Sequence, residues 1–168
     1  YLVIASDANA GRLEEIRANC LKLADPRTLG GADPKKIVDN TPAVAWMAYG
    51  IHGDELSSCD AALELAYQLM AGTDAATKQI LDNCVVVIDP SENPDGRSRW
   101  LTQLTEWNGV VPSHDILSMG HTGMWPYGRT NHYLFDLNRD WFAQVHPETR
   151  GKTKAMMEWM PHYVLDCH

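Results

Sequence analysis

Ala43-Val44-Ala45-Trp46-Met47-Ala48-Tyr49-Gly50-Ile51-His52-Gly53-Asp54-Glu55 is the stretch on which the fold turns. Its first seven residues are almost continuously apolar and of strand length, which suits a strand covered on both faces in a mostly parallel sheet. Leu56, Cys59, Leu63, Ala66 and Met70 then recur at helical spacing, predicting an amphipathic helix from about Glu55 to Ala71. A shorter helix follows from Asp74 to Asp82. Val85-Val86-Val87-Ile88, closed by Asp89-Pro90, is a second buried strand.

The pattern extends outward in both directions. Leu2-Val3-Ile4-Ala5 is a short apolar run, and Leu13, Ile16, Cys20 and Leu23 form a helical stripe after the candidate caps Asp7 and Asn9. Pro26 and Gly30-Gly31 end that helix. Pro147 opens another, carrying Met156, Trp159 and Met160 and ended by Pro161, and Tyr163-Val164-Leu165 begins a last strand. Residues 90 to 135 are rich in Gly, Trp, Asn and His without a sustained period and read as long loops. Strand–helix alternation predicts an α/β fold: a mixed, largely parallel sheet sandwiched by helices. Ligands in such folds gather at the carboxyl ends of strands. His52, the Asn93-Pro94-Asp95-Gly96 turn and His168 all lie just past a predicted strand, so three polar features share one rim.

Composition narrows the class. The 168 residues hold 14 Lys+Arg against 22 Asp+Glu, a net charge of −8, opposite to the balance a phosphate-neutralising nucleic-acid binder needs. With 45% apolar and 21% charged residues the chain is folded rather than disordered. No apolar run approaches the roughly 18–20 residues of a membrane span, and no leader pattern opens the chain. Neither repeat nor linker divides residues 1–168, which read as one domain or a piece of one. Cys20, Cys59, Cys84 and Cys167 form no CxxC pair and read as small buried hydrophobes.

His52 and Glu55 lie three apart at a strand-to-helix turn, within reach of one cation, and a distant third ligand would leave zinc an open position. Alone, the pattern is weak and reads first as a surface histidine beside a helix-capping glutamate. Asp136-Leu137-Asn138-Arg139-Asp140-Trp141 can hold a carboxylate by a guanidinium fork and an amide, or be a solvated turn with an ion pair. His114, His121, His132, His146 and His162 read as solvated or hydrogen-bonded side chains. Trp100, Trp107, Trp125 and Trp141 read as loop anchors before groove lining. Cys167 and His168, neighbours on a strand, should point to opposite faces.

The order of these motifs over residues 43 to 168 resembles the zinc metallocarboxypeptidase family in its bacterial-type form. The resemblance implies zinc on His52, Glu55 and His168, with Asp136 orienting His52. It implies that Asn138 and Arg139 grip the terminal carboxylate of a peptide or protein substrate. Arg129, in Gly128-Arg129-Thr130-Asn131, would polarise the scissile carbonyl, with Arg97 and Arg99 as rivals. The family's general-base Glu is expected beyond the last zinc His, on which this chain stops, so residues 1–168 read as a partial catalytic domain. Family habit implies a secreted or periplasmic enzyme without nucleic-acid partners. Two other readings stand beside it: a related zinc deacylase or amidase of N-acyl amino acids, and a non-catalytic peptide-binding module lacking the base.

Overall fold

The apolar run Ala43–Tyr49 is strand β2, flanked in parallel by β3 (Cys84–Asp89) and β4 (Tyr163–Cys167), with β1 (Leu2–Ile4) antiparallel on the far side of β3. These four strands form one mixed, mostly parallel sheet, ordered β1-β3-β2-β4, in a computed structural model that describes residues 1–168. β2 and β3 are joined through α4 (Ser57–Ala71) and α5 (Ala75–Asn83), the strand–helix–strand unit expected from the sequence.

Both faces of the sheet are covered. Alternation along β2 and β3 sends Val44, Trp46, Ala48, Val85 and Val87 to one face, where α2 (Leu13–Ala24) adds Ile16 and Cys20 and α8 (Pro147–Trp159) adds Trp159. The opposite face holds Ile4, Tyr49, Val86 and Ile88 against Ala62, Ala66 and Leu69 of α4. Each large side chain so buried contributes about 1.5–3 kcal/mol. His162 sets the register of the last strand: its N–H donates to the Val44 carbonyl (2.8 Å), and its Nδ1 accepts from the Val44 N–H (3.0 Å). Cys167 packs toward the α4 face. All four cysteines are free, and no helix is long and apolar enough to cross a membrane.

Three expectations are corrected. Residues 90 to 135 are not loops throughout: α6 (Pro94–Trp107) spans 14 residues, and α7 (Met119–Thr122) adds a turn. Asn93 caps α6 by accepting the Gly96 N–H at 2.9 Å, with Pro94 at the first helical position, so Asn93-Pro94-Asp95-Gly96 is a helix start rather than a plain turn. The inward side of α6 carries Gly96, Trp100, Gln103 and Leu104, too mixed to show an apolar period. Asp7 and Asn9 do not cap α2; they lie inside a short separate helix, α1 (Asp7–Ala10), and Asn9 donates across the fold to the carbonyls of Leu81 and Asp82 (3.1 Å each). The remaining helix, α3 (Pro34–Asn40), is capped by Asp33.

Candidate metal centre

Just past β2 comes Gly50, whose φ of +68° turns the chain sharply. A side chain there would also overlap the Cys59 sulfur. The Gly50 N–H donates to the Cys167 carbonyl (3.0 Å), tying the carboxyl ends of β2 and β4 together. That tie brings His52 and His168 side by side, with ring centroids 4.8 Å apart.

Glu55, one turn on and just ahead of α4, completes a tight triangle. His52 Nδ1 lies 3.0 Å from a Glu55 oxygen, His168 Nδ1 3.0 Å from the other, and the two Nδ1 atoms 3.1 Å from each other. His52 is buried, whereas Glu55 and His168 are partly exposed. Two imidazole nitrogens and a carboxylate in mutual contact is the donor set of a three-residue zinc site. Ligands on a tetrahedral ion at about 2.0–2.1 Å stand roughly 3.3 Å apart, so the spacing fits. All three donors lie within 4.8 Å of one another.

Asp136 holds the other edge of His52. Its Oδ1 is 3.1 Å from His52 Nε2 and accepts the Asn138 N–H (2.9 Å), while its Oδ2 takes Arg129 Nε (3.0 Å) and Nη2 (2.9 Å). An acceptor there keeps the proton on Nε2 and leaves Nδ1 free to bind a cation. Burial pushes the Asp136 carboxyl up, but the Asn138 N–H, His52 and the Arg129 charge outweigh it and hold it below the ordinary range.

The structure brings Arg129 and Asn138 into the same neighbourhood. Arg129 Nη1 lies 3.3 Å from His52 Nδ1, and the Asn138 amide nitrogen 3.5 Å from His168 Nε2. Arg139 is exposed at the rim; its guanidinium bonds the Asn138 carbonyl (3.0 Å) and pairs with no carboxylate. Arg97 and Arg99 are committed elsewhere. Arg97 holds the Leu56 carbonyl and Asp60, and Arg99 holds the carbonyls of Tyr127, Thr130 and Asn131.

The profile of the family described as zinc carboxypeptidase matches residues 20–162. The chain belongs to the zinc carboxypeptidase family. It is also 30% identical to human carboxypeptidase D over 118 residues, which is 67% of this chain and 7% of that protein. The chain thus spans a small part of the length of that relative. His168 lies beyond the matched segment, and the β2–β4 pairing brings it beside His52.

Two features of this zinc carboxypeptidase chain escaped sequence reasoning. Asn131, buried in the loop between Arg129 and Asp136, accepts the N–H groups of Tyr133 and Phe135 and donates to His146 and Glu148. Glu92 and Lys152 form a buried ion pair, with Lys152 Nζ also 3.7 Å over the Trp141 ring. Burial pushes the Glu92 carboxyl up to about 7 despite the Lys152 charge. Lys152 lies 60 positions from Glu92, so no local signal marks that pair, and the Asn131 contacts, although near in sequence, follow no periodic pattern.

Proposed function

We propose that this chain builds the metal-binding part of a metallocarboxypeptidase that hydrolyses C-terminal residues from peptides with one zinc on His52, Glu55 and His168. The observation that carries this reading is the triangle of His52 Nδ1, Glu55 and His168 Nδ1 at 3.0–3.1 Å, in a chain of the zinc carboxypeptidase family. Zinc, when bound, supplies Lewis acidity toward the scissile carbonyl and brings the pKa of its water to roughly 7.

The chain's own residues do the rest. Asp136 fixes the tautomer of His52 and the direction of Nδ1. Arg129, steered by Asp136 to within 3.3 Å of His52, donates to the carbonyl oxygen as negative charge develops; such a donor is typically worth about 3–4 kcal/mol. Arg139 takes the substrate's terminal carboxylate, and the Asn138 amide adds a second donor, so the peptide end is placed before the chemistry begins. A net charge of −8 does not prevent this, because screening acts over about 8 Å and the local cations dominate. By the same family resemblance, the enzyme works in a secreted or periplasmic setting.

The test is metal stoichiometry by native mass spectrometry together with hydrolysis of matched peptides. About one zinc per chain and cleavage of free-C-terminal peptides, with amidated versions resistant, is the expected result. Absence of zinc, indifference to amidation, or preference for N-acyl amino acids would overturn it.

A further inference from the structure

We propose that Asn93 is a positioning residue that sets the distance between the metal centre and Arg129, an inference that rests on the functional reading above. Asn93 is buried, and its one side chain joins three segments. Its Nδ2 donates to the carbonyl of Ile51, next to His52, and to the carbonyl of Arg129 itself, at 3.1 Å each. Its Oδ1 accepts the Gly96 N–H at the start of α6 (2.9 Å). Both donors and one acceptor lone pair are therefore used, and the two groups fixed by the amide are those whose spacing matters to catalysis.

The surrounding backbone keeps this junction in close contact. The three segments meet through glycines: a Cβ on Gly53 would overlap the backbone of Gly96 and Arg97, and a Cβ on Gly96 would overlap the Gly128 carbonyl. A Cβ on Gly128 would lie 2.8 Å from the Asp54 nitrogen. The Gly53 N–H donates to the Gly128 carbonyl (2.9 Å) across this junction. Arg97 and Arg99, on the first two turns of α6, hold the Leu56 carbonyl on one side and the Tyr127, Thr130 and Asn131 carbonyls on the other. The start of α6 is a jig between the metal loop and the Arg129 loop, and Asn93 is its pin.

A helix cap alone would affect stability and nothing else. Asn93→Asp and Asn93→Ser separate the roles, because both side chains cap a helix well, while the Asp carboxylate donates to neither carbonyl and the single Ser hydroxyl hydrogen reaches one at most. Measured with kcat and KM on a free-C-terminal peptide, each variant should keep its zinc and lose about tenfold or more in kcat with little change in KM. In an Arg129→Ala background the same substitutions should cost less than about threefold, because the pin then has nothing left to position. Equal losses with and without Arg129, unchanged kcat, or failure of both variants to fold would each overturn the inference. A wild-type protein that binds no zinc and cleaves no peptide would instead strike at the functional reading.

Discussion

Asp136→Asn and Asp136→Ala should separate the two halves of the site, because the two carboxylate oxygens serve different partners. Oδ1 faces His52 Nε2 and the Asn138 N–H, and Oδ2 faces Nε and Nη2 of Arg129. An asparagine keeps Oδ1 and turns an amide N–H₂ toward the guanidinium, donor against donor. The His52 side is then preserved and the Arg129 side broken. Alanine removes both, and leaves the buried His52 Nε2–H without an acceptor, a loss of about 1–3 kcal/mol. Removing such an outer partner of a ligand histidine typically weakens metal binding about 10–100-fold. Competition with a chromophoric chelator should therefore show Asp136→Ala weakened by that factor and Asp136→Asn within about threefold of wild type. Peptide hydrolysis should fall about tenfold or more in both, because both release Arg129. Equal zinc affinity in all three proteins would refute the reasoning, as would an Asn variant that loses as much metal as the Ala variant.

His52→Ala and Glu55→Ala should each lose the bound zinc in native mass spectra, and unchanged occupancy in both would remove them as ligands. Arg139→Ala should lose about tenfold or more on free-C-terminal peptides and little on any residual cleavage of amidated ones. Glu92 gives a pH signature. Its carboxyl is held at about 7 when folded, above its unfolded value, so the folded state keeps a proton that the unfolded chain has released. Stability should therefore fall as pH rises from about 4.5 toward 7, and Glu92→Gln should flatten that slope in urea titrations. Equal slopes in the two proteins would show that Glu92 does not govern it.

The parts of this architecture that the sequence displays are those governed by local periodicity. β2, β3, α4 and α5 announce themselves because each presents an apolar run or stripe to a covered face. His52, Glu55 and His168 could be placed on one rim because parallel strands send their carboxyl ends the same way. α6 is hidden for the opposite reason: it packs against loop backbone through a glycine and through Trp100, Gln103 and two arginines, so no apolar stripe is required. Asn9 was misread because its partners, Leu81 and Asp82, lie more than seventy positions away. The same holds for Asn93, whose amide looks like a turn residue until Ile51 and Arg129 are seen at its two hydrogens.

On the proposed zinc site, the hydrogen bond between Gly50 and Cys167 would tie metal capture to the order of assembly. Until β4 docks beside β2, only His52 and Glu55 are in place, and a two-donor fragment holds a divalent ion weakly. A nascent or partly melted chain would therefore release its ion early. Metal occupancy would then report that the most sequence-distant strand pairing in the sheet has closed, and added metal would slow the unzipping of that edge.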